Sequence, residues 1–184
     1  GFEDNKEMVQ DYIGLTDYAP IGGLYNTGDG ITMGLDVDAN LVGMGWIQLM
    51  ALNSISGGGI SGMINSTAFV NQEGKRFVDE TEDAVEIREV ALEEQTNAIQ
   101  YDIFTDKIIA DLQANKASTF WDFFYSEGKP YSNAVVTAAS LEELAEKLGM
   151  PAENLKATVE DYNSHVKSGE TDEFGRQFTQ DSLN

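Results

Sequence analysis

Between residues 5 and 13 the apolar positions Met8, Val9, Tyr12 and Ile13 fall at helical spacing, which predicts a short helix. A glycine-rich link with Ile21-Gly22-Gly23-Leu24 and Asn26-Thr27-Gly28-Asp29-Gly30 leads into Ile31, Met33, Gly34, Leu35 and Val37, a second short helix suited to close packing. Residues 41–49 are a short apolar run of strand character. Residues 53–62, dense in Ser and Gly, predict a flexible loop over or beside a site. Residues 67–71 and 76–78 predict a hairpin that turns at Gln72-Glu73-Gly74-Lys75.

The second half is richer in helix. Residues 84–95 carry Val85, Arg88, Leu92 and Gln95 along one stripe, and residues 99–104 alternate as a strand. From Asp106 the pattern is largely helical, with one strand expected at 134–137. Ser140 is a good N-cap with Glu143 three residues on, followed by the stripe Leu141, Leu144, Ala145 and Leu148 and a stop at Gly149. Pro151 opens a last helix with Leu155, Val159, Tyr162 and Val166 inward, ending at Gly169. The mixture predicts an α+β fold, a small sheet with helices gathered around it.

Composition narrows the function classes. Hydrophobic residues make up 41% and charged residues 23% of 184 residues, an ordinary globular balance able to bury one good core. No apolar run approaches the roughly 18 residues of a membrane span. Eleven Lys and Arg against 32 Asp and Glu give a net charge of -21, with no basic cluster, so nucleic acid is an unsuitable partner. With no Cys and one His, His165, thiolate metal sites, thiol catalysis and paired-His zinc sites are excluded, and no metal is expected. The chain opens on Gly1 and gives no reading of compartment.

Few residues offer chemistry. Gly57-Gly58-Gly59-Ile60-Ser61-Gly62 satisfies G-x-G-x-x-G, but polar residues precede it and Asn65-Ser66-Thr67 soon breaks any helix, so it reads as a loop. The same Asn65-Ser66-Thr67 is a glycosylation triplet of the kind that arises by chance. Gly28 and Gly30 flank Asp29, an arrangement that lets backbone approach a ligand while the carboxylate accepts hydrogen bonds; a plain turn and helix cap explains it equally. Arg88 lies on the inward stripe of an acidic helix, either tied into salt bridges or facing a substrate cleft as electrophile or proton donor. His165 reads as a boundary histidine.

Several blocks together resemble the flavoprotein subunit of fumarate reductases and relatives acting on other activated alkenes. They are Gly1-Phe2-x-x-Asn5-Lys6-Glu7-Met8, Thr27-Gly28-Asp29-Gly30-Ile31-x-Met33-Gly34, Ile47-Gln48, and Val70-Asn71-Gln72-Glu73-Gly74-Lys75-Arg76-Phe77-Val78-Asp79-Glu80. Gln95-Thr96, Leu148-Gly149-Met150-Pro151, Tyr162-Asn163 and Gly169-Glu170-Thr171-Asp172-x-Phe174-Gly175-Arg176 complete the set, across nearly the whole chain. In that family a capping domain is inserted between two halves of an FAD-binding domain. The resemblance implies that residues 1–48 are a fragment of the FAD-binding domain and residues 49–184 the capping, substrate-binding domain. It implies FAD as cofactor of the full-length protein, not retained by this segment alone, with Gly28, Asp29 and Gly30 in contact with it. Its partners would be an unsaturated acid, the remainder of the FAD-binding domain and an electron-transfer partner. The family's reaction is hydride transfer from reduced flavin to an alkene, with an arginine delivering the proton.

Three departures qualify this. Met50, Ala51 and Leu52 stand where dicarboxylate enzymes of the family have His and Pro; Gly59-Ile60 replaces a Thr-Glu pair; and Ala84 occupies the place of the catalytic arginine, with Arg88 one helical turn later. Losing buried polar partners of two carboxylates argues against fumarate itself. Met50 and Gly59 would then border a bulkier, more apolar enoate, and Arg88 is the candidate proton donor. The alternative is a non-catalytic ligand-binding or interaction domain that kept the cap fold.

Overall fold

The structure, a computed structural model, describes residues 1–47 apart from 17, 19, 21 and 24, and residues 67–107, 125–126, 129–130 and 135–178. The chain divides into two compact units, Gly1–Gln48 and Leu49–Asn184.

The first unit is a short helical piece held by its own N-terminal segment. Helix α1, Lys6–Ile13, starts where Asn5 Oδ1 accepts from Met8 N at 3.0 Å and stops at Gly14, φ 83°. Helix α2, Asp29–Leu35, starts from Gly28 at φ 82°. Residues 1–5 clasp the loop before α2: Gly28 N donates to Gly1 O at 3.1 Å, Asp4 N to Asn26 O at 3.0 Å, and Asn5 Nδ2 to Thr27 O at 2.9 Å. The expected close packing of α2 is absent, for it buries no residue. Met33, Val37, Val42 and Trp46 stand 65–88% exposed, because the described residues of this unit supply no second layer for them to pack on. Residues 41–47 form no strand; a strand needs a neighbour for its backbone N–H and C=O groups, and none is found among the described residues of this unit.

In the second unit β1, Ala68–Val70, pairs antiparallel with β2, Tyr101–Ile103, in the register Ala68↔Ile103, Phe69↔Asp102, Val70↔Tyr101. The expected hairpin keeps its turn but not its second arm. Gly74 sits at φ 72°, and Asn71 Oδ1 accepts from both Glu73 N and Lys75 N. The return arm shrinks to one bridge, Val70↔Arg76, while β2 pairs with the other edge of β1 and Phe69 N donates to the Glu80 side chain. A Cβ on Gly74 would lie 3.1 Å from Leu155 N, so this turn is pressed against the last helix. Helix α3 is Val85–Glu93, followed by a 3-10 turn at Thr96–Ala98. Inside the stretch expected to be largely helical, β3 (Tyr125–Ser126) and β4 (Lys129–Pro130) form a small antiparallel ladder, while residues 135–137 form no strand.

Helices α4, Leu141–Leu148, and α5, Ala152–Ser168, form as the pattern predicts. Ser140 Oγ accepts from Glu143 N at 3.2 Å, and Glu143 Oε2 reaches Ala139 N at 2.8 Å, one residue before the cap rather than the cap itself. The core joins Ala68, Val70 and Ile103 of the sheet to Ala145, Met150, Leu155, Val159 and Tyr162. Burying each of the larger aliphatic side chains is worth about 1.5–3 kcal/mol, which anchors a two-stranded sheet that alone is marginal in water. Among the described residues no helix is long and apolar enough to cross a membrane.

Candidate functional site

Most of the buried charge of the second unit is spent on holding it together. Glu80 is fully buried and accepts from Phe69 N at 3.0 Å, Arg76 Nε at 2.7 Å, Arg76 Nη2 at 2.8 Å and Arg176 Nη1 at 2.6 Å. Arg76 Nη1 makes an ion pair of 2.7 Å with Asp172 Oδ2. Arg176 also donates to Thr67 O and Tyr162 Oη, and both guanidiniums lie about 5 Å from aromatic rings, including those of Tyr162 and Phe178. Burial works to lower the Arg76 pKa, but Glu80 and Asp172 outweigh it and the net shift is upward. Two cations balance two anions, so this cluster is a lock between residues 76–80 and 172–176. Beside it lies a shallow cavity of about 270 Å³ bordered by Lys75, Arg76, Asn154, Thr158 and Asp161. Asn154 and Thr158 there already donate to Glu73 O and Gly74 O, which leaves little for a ligand.

Arg88 is different. It sits half-buried on the stripe of α3 that also carries buried Leu92, and its Nε is buried with no hydrogen-bond partner among the described residues. The reading of Arg88 as tied into salt bridges with its acidic neighbours therefore does not hold: among the described residues no ion pair reaches it. Its Coulombic partner is Asp102 on β2. Asp102 Oδ1 accepts from Gln100 Nε2 at 2.7 Å, while Oδ2 is buried and has no partner among the described residues. Burial pushes the Asp102 carboxyl up to about 7; Gln100 pulls it down, Glu80 pushes it further up, and Arg88 pulls it down. The sequence signal for Asp102 is a carboxylate inside the alternating Tyr-Asp-Ile-Phe strand, and neither it nor the lock around Glu80 is marked by a motif.

In the first unit, Gly28, Asp29 and Gly30 stand together at the start of α2. Gly28 is required twice over: its φ is 82°, and a Cβ there would sit 2.5 Å from Met8 Sδ. Asp29 is exposed and its Oδ1 accepts from Thr27 Oγ1 at 2.7 Å, while a Cβ on Gly30 would meet only open space. An oriented, accessible carboxylate beside open backbone fits one edge contact to a cofactor's hydroxyl or amine groups. It is not a complete cradle. Met50 and Gly59, like the loop 57–62, lie outside the described residues. His165 is a boundary residue stacked on Phe178, 3.7 Å from Asp161. Among the described residues no cluster of His, Asp and Glu has the makings of a metal site.

The first unit carries an accessible, glycine-flanked aspartate and the second is a small α+β unit, and the family comparison says what class of protein the chain belongs to. The model of the FAD binding domain family matches residues 4–182, and the chain belongs to that family; FAD is the cofactor of the full-length protein. The chain is 33% identical over 185 residues to NADH:acrylate oxidoreductase of Vibrio harveyi, covering 95% of this chain and 17% of that protein. It is 33% identical over 189 residues to NADH:fumarate oxidoreductase of Klebsiella pneumoniae (strain 342), covering 96% of this chain and 18% of that protein. Its fold matches the open conformation of a flavocytochrome c3 fumarate reductase with a TM-score of 0.76 and 24% identity, over 100% of this chain and 31% of that one. The chain thus spans less than a third of each of these three proteins.

Proposed function

We propose that the chain is a segment of an FAD-dependent oxidoreductase that reduces an activated alkene, an unsaturated acid other than fumarate. In this reading residues 1–48 are a fragment of the FAD-binding domain and residues 49–184 the cap over the substrate. Reduced flavin supplies the hydride when bound. Asp29 orients one edge of the cofactor. Arg88 supplies the proton. The observation that carries the reading is the unpartnered, buried Nε of Arg88 on the inward stripe of α3. Helical side chains lean back toward the N-terminus, so an arginine at position 88 extends toward the level of Ala84, where the fumarate reductases carry theirs. Met50 and Gly59, in place of polar carboxylate contacts, favour an alkyl or aryl enoate. The acrylate and fumarate oxidoreductases named above support the reaction class without fixing the substrate. Electrons arrive from a partner or domain outside the segment, and the segment alone neither retains FAD nor turns over.

The test uses the full-length flavoprotein, reduced anaerobically and mixed with acrylate, an aryl enoate or fumarate while the flavin absorbance is followed. Reoxidation by an enoate, with fumarate at least about tenfold slower, is the expected result. Fumarate matching the best enoate would defeat the substrate assignment. A full-length protein that binds no flavin would point instead to a non-catalytic module that kept the cap fold.

A further inference from the structure

Helix α3 is held by little apolar contact. Among its described residues Leu92 is the buried one, and Ile87 and Val90 stand 53% and 55% exposed. Its placement, and with it that of Arg88, therefore depends strongly on polar ties, and a clasp of them lies at its C-terminal end. Gln95, two turns beyond Arg88 on the same stripe, donates from Nε2 to Ala91 O at 2.8 Å, and its Oε1 accepts from Asn71 Nδ2 at 2.9 Å. The other end of the Asn71 amide shapes the turn at 71–75, where Oδ1 accepts from Glu73 N and Lys75 N. One buried side chain thus builds the turn and grips the helix. On the exposed side Thr96 Oγ1 donates to Glu73 Oε1 and Asn97 Nδ2 to Gln72 Oε1, both at 2.8 Å.

The turn is a firm anchor. Asn154 Nδ2 and Thr158 Oγ1 of α5 donate to Glu73 O and Gly74 O at 2.9 and 2.7 Å, and Arg76 just beyond it is paired with Glu80 and Asp172. Polar contact therefore runs unbroken from α5 through the turn to the end of α3. Past Gln95 the backbone is left-handed at Asn97, φ 58°, and Ala98, φ 50°. Residues with a Cβ seldom adopt that conformation, so the clasp holds the exit from α3 against a backbone that would otherwise relax. We propose that Asn71 and Gln95 are a positioning pair that sets where Arg88 stands, by fastening α3 to this turn. The inference rests on the reading of Arg88 as proton donor. Both residues act through Arg88, at the distance of two helical turns, and take no part in the chemistry themselves.

The test uses the full-length flavoprotein and turnover per bound flavin, so that a smaller folded fraction does not count as a slower enzyme. Gln95→Leu removes both bonds of the Gln95 amide at similar size. Asn71→Asp keeps the oxygen that shapes the turn and removes only the N–H that grips Gln95. Each should lower kcat about 10- to 100-fold with KM changed less than about threefold, the loss expected when a reacting group is displaced by about 1 Å. Each should also raise the solvent deuterium isotope effect on kcat, because a displaced donor slows proton transfer relative to the other steps. The double variant should fall no further than the worse single one, since the two side chains make one link. Wild-type kcat in either variant, a loss of kcat with an unchanged isotope effect, or losses that add in the double variant would each overturn the pair. Arg88→Gln separates the two claims. If it impairs turnover while Gln95→Leu does not, the pair is wrong and Arg88 remains the donor. Full turnover in Arg88→Gln overturns the donor assignment and leaves the pair nothing to position.

Discussion

Replacing Glu80 by Gln keeps the shape of the side chain and removes one negative charge from the cluster of Arg76, Arg176, Glu80 and Asp172. The wild-type cluster has two charges of each sign; the variant is left with one uncompensated cation around a position that is fully buried. The new amide also directs N–H groups at a site where Phe69 N, Arg76 Nε, Arg76 Nη2 and Arg176 Nη1 all need an acceptor. Removing one member of a buried ion pair costs about 3–5 kcal/mol, a large share of the roughly 5–15 kcal/mol that holds a domain folded. With a urea dependence of about 2 kcal/mol per molar, the midpoint should fall by about 1.5–2.5 M. Urea titrations of wild type and variant, followed by circular dichroism, measure this directly. Adding Arg176→Gln to Glu80→Gln removes the excess charge, so the double variant should be less destabilised than the two single losses summed, by about 1 kcal/mol or more. A midpoint shift under about 0.5 M for Glu80→Gln would refute the claim that this carboxylate holds two arginines in place.

Three further outcomes are expected. Gly28→Ala should destabilise the first unit by about 1–2 kcal/mol from the left-handed backbone alone, with the Met8 contact adding to it, read as faster amide exchange across α1 and α2. Asp29→Asn should leave the fold unchanged, since the side chain is exposed, but weaken FAD binding by the full-length protein about tenfold, measured by flavin retention on dialysis. The third concerns pH and stability: the Asp102 carboxyl titrates at about 7 in the folded chain and at 3.8 when unfolded, so the folded state holds the extra proton between those values. Its contribution is full below about pH 4 and declines as pH rises through 7, by up to about 1.4 kcal/mol per pH unit, and Asp102→Asn should flatten that decline in a series of urea titrations.

Elements whose signal is local are legible in the sequence. Helices α4 and α5 each pair an apolar stripe with an identifiable start and stop, Ser140 and Gly149 for one, Pro151 and Gly169 for the other. The apolar run at 41–47 misled because strand character depends on a neighbouring chain, which hydropathy does not encode. The hairpin after β1 was half legible. Its turn follows from Asn71 and Gly74, but the ladder on the other edge of β1 is made with residues some 30 positions further on. At the candidate site, Arg88 stood out as a cation on an inward stripe. Asp102 did not, because one acidic residue in a short strand gives no hint of which face it occupies or what covers it. The lock around Glu80 was equally hidden: Arg76 is four residues away, whereas Arg176 is 96 residues along the chain.

That separation has a consequence for biosynthesis. Ribosomes add about 5–20 residues per second, so the carboxylate of Glu80 emerges some 5–20 s before Arg176 follows it. Until then the segment after β1 carries an acid that hydrophobic collapse disfavours burying, and the nascent second unit is kept from closing prematurely around an incomplete interior. Segment 172–178 is thus the one that ends the wait, and truncations just short of it should accumulate as protease-sensitive chains even though α3, α4 and α5 have already been synthesised.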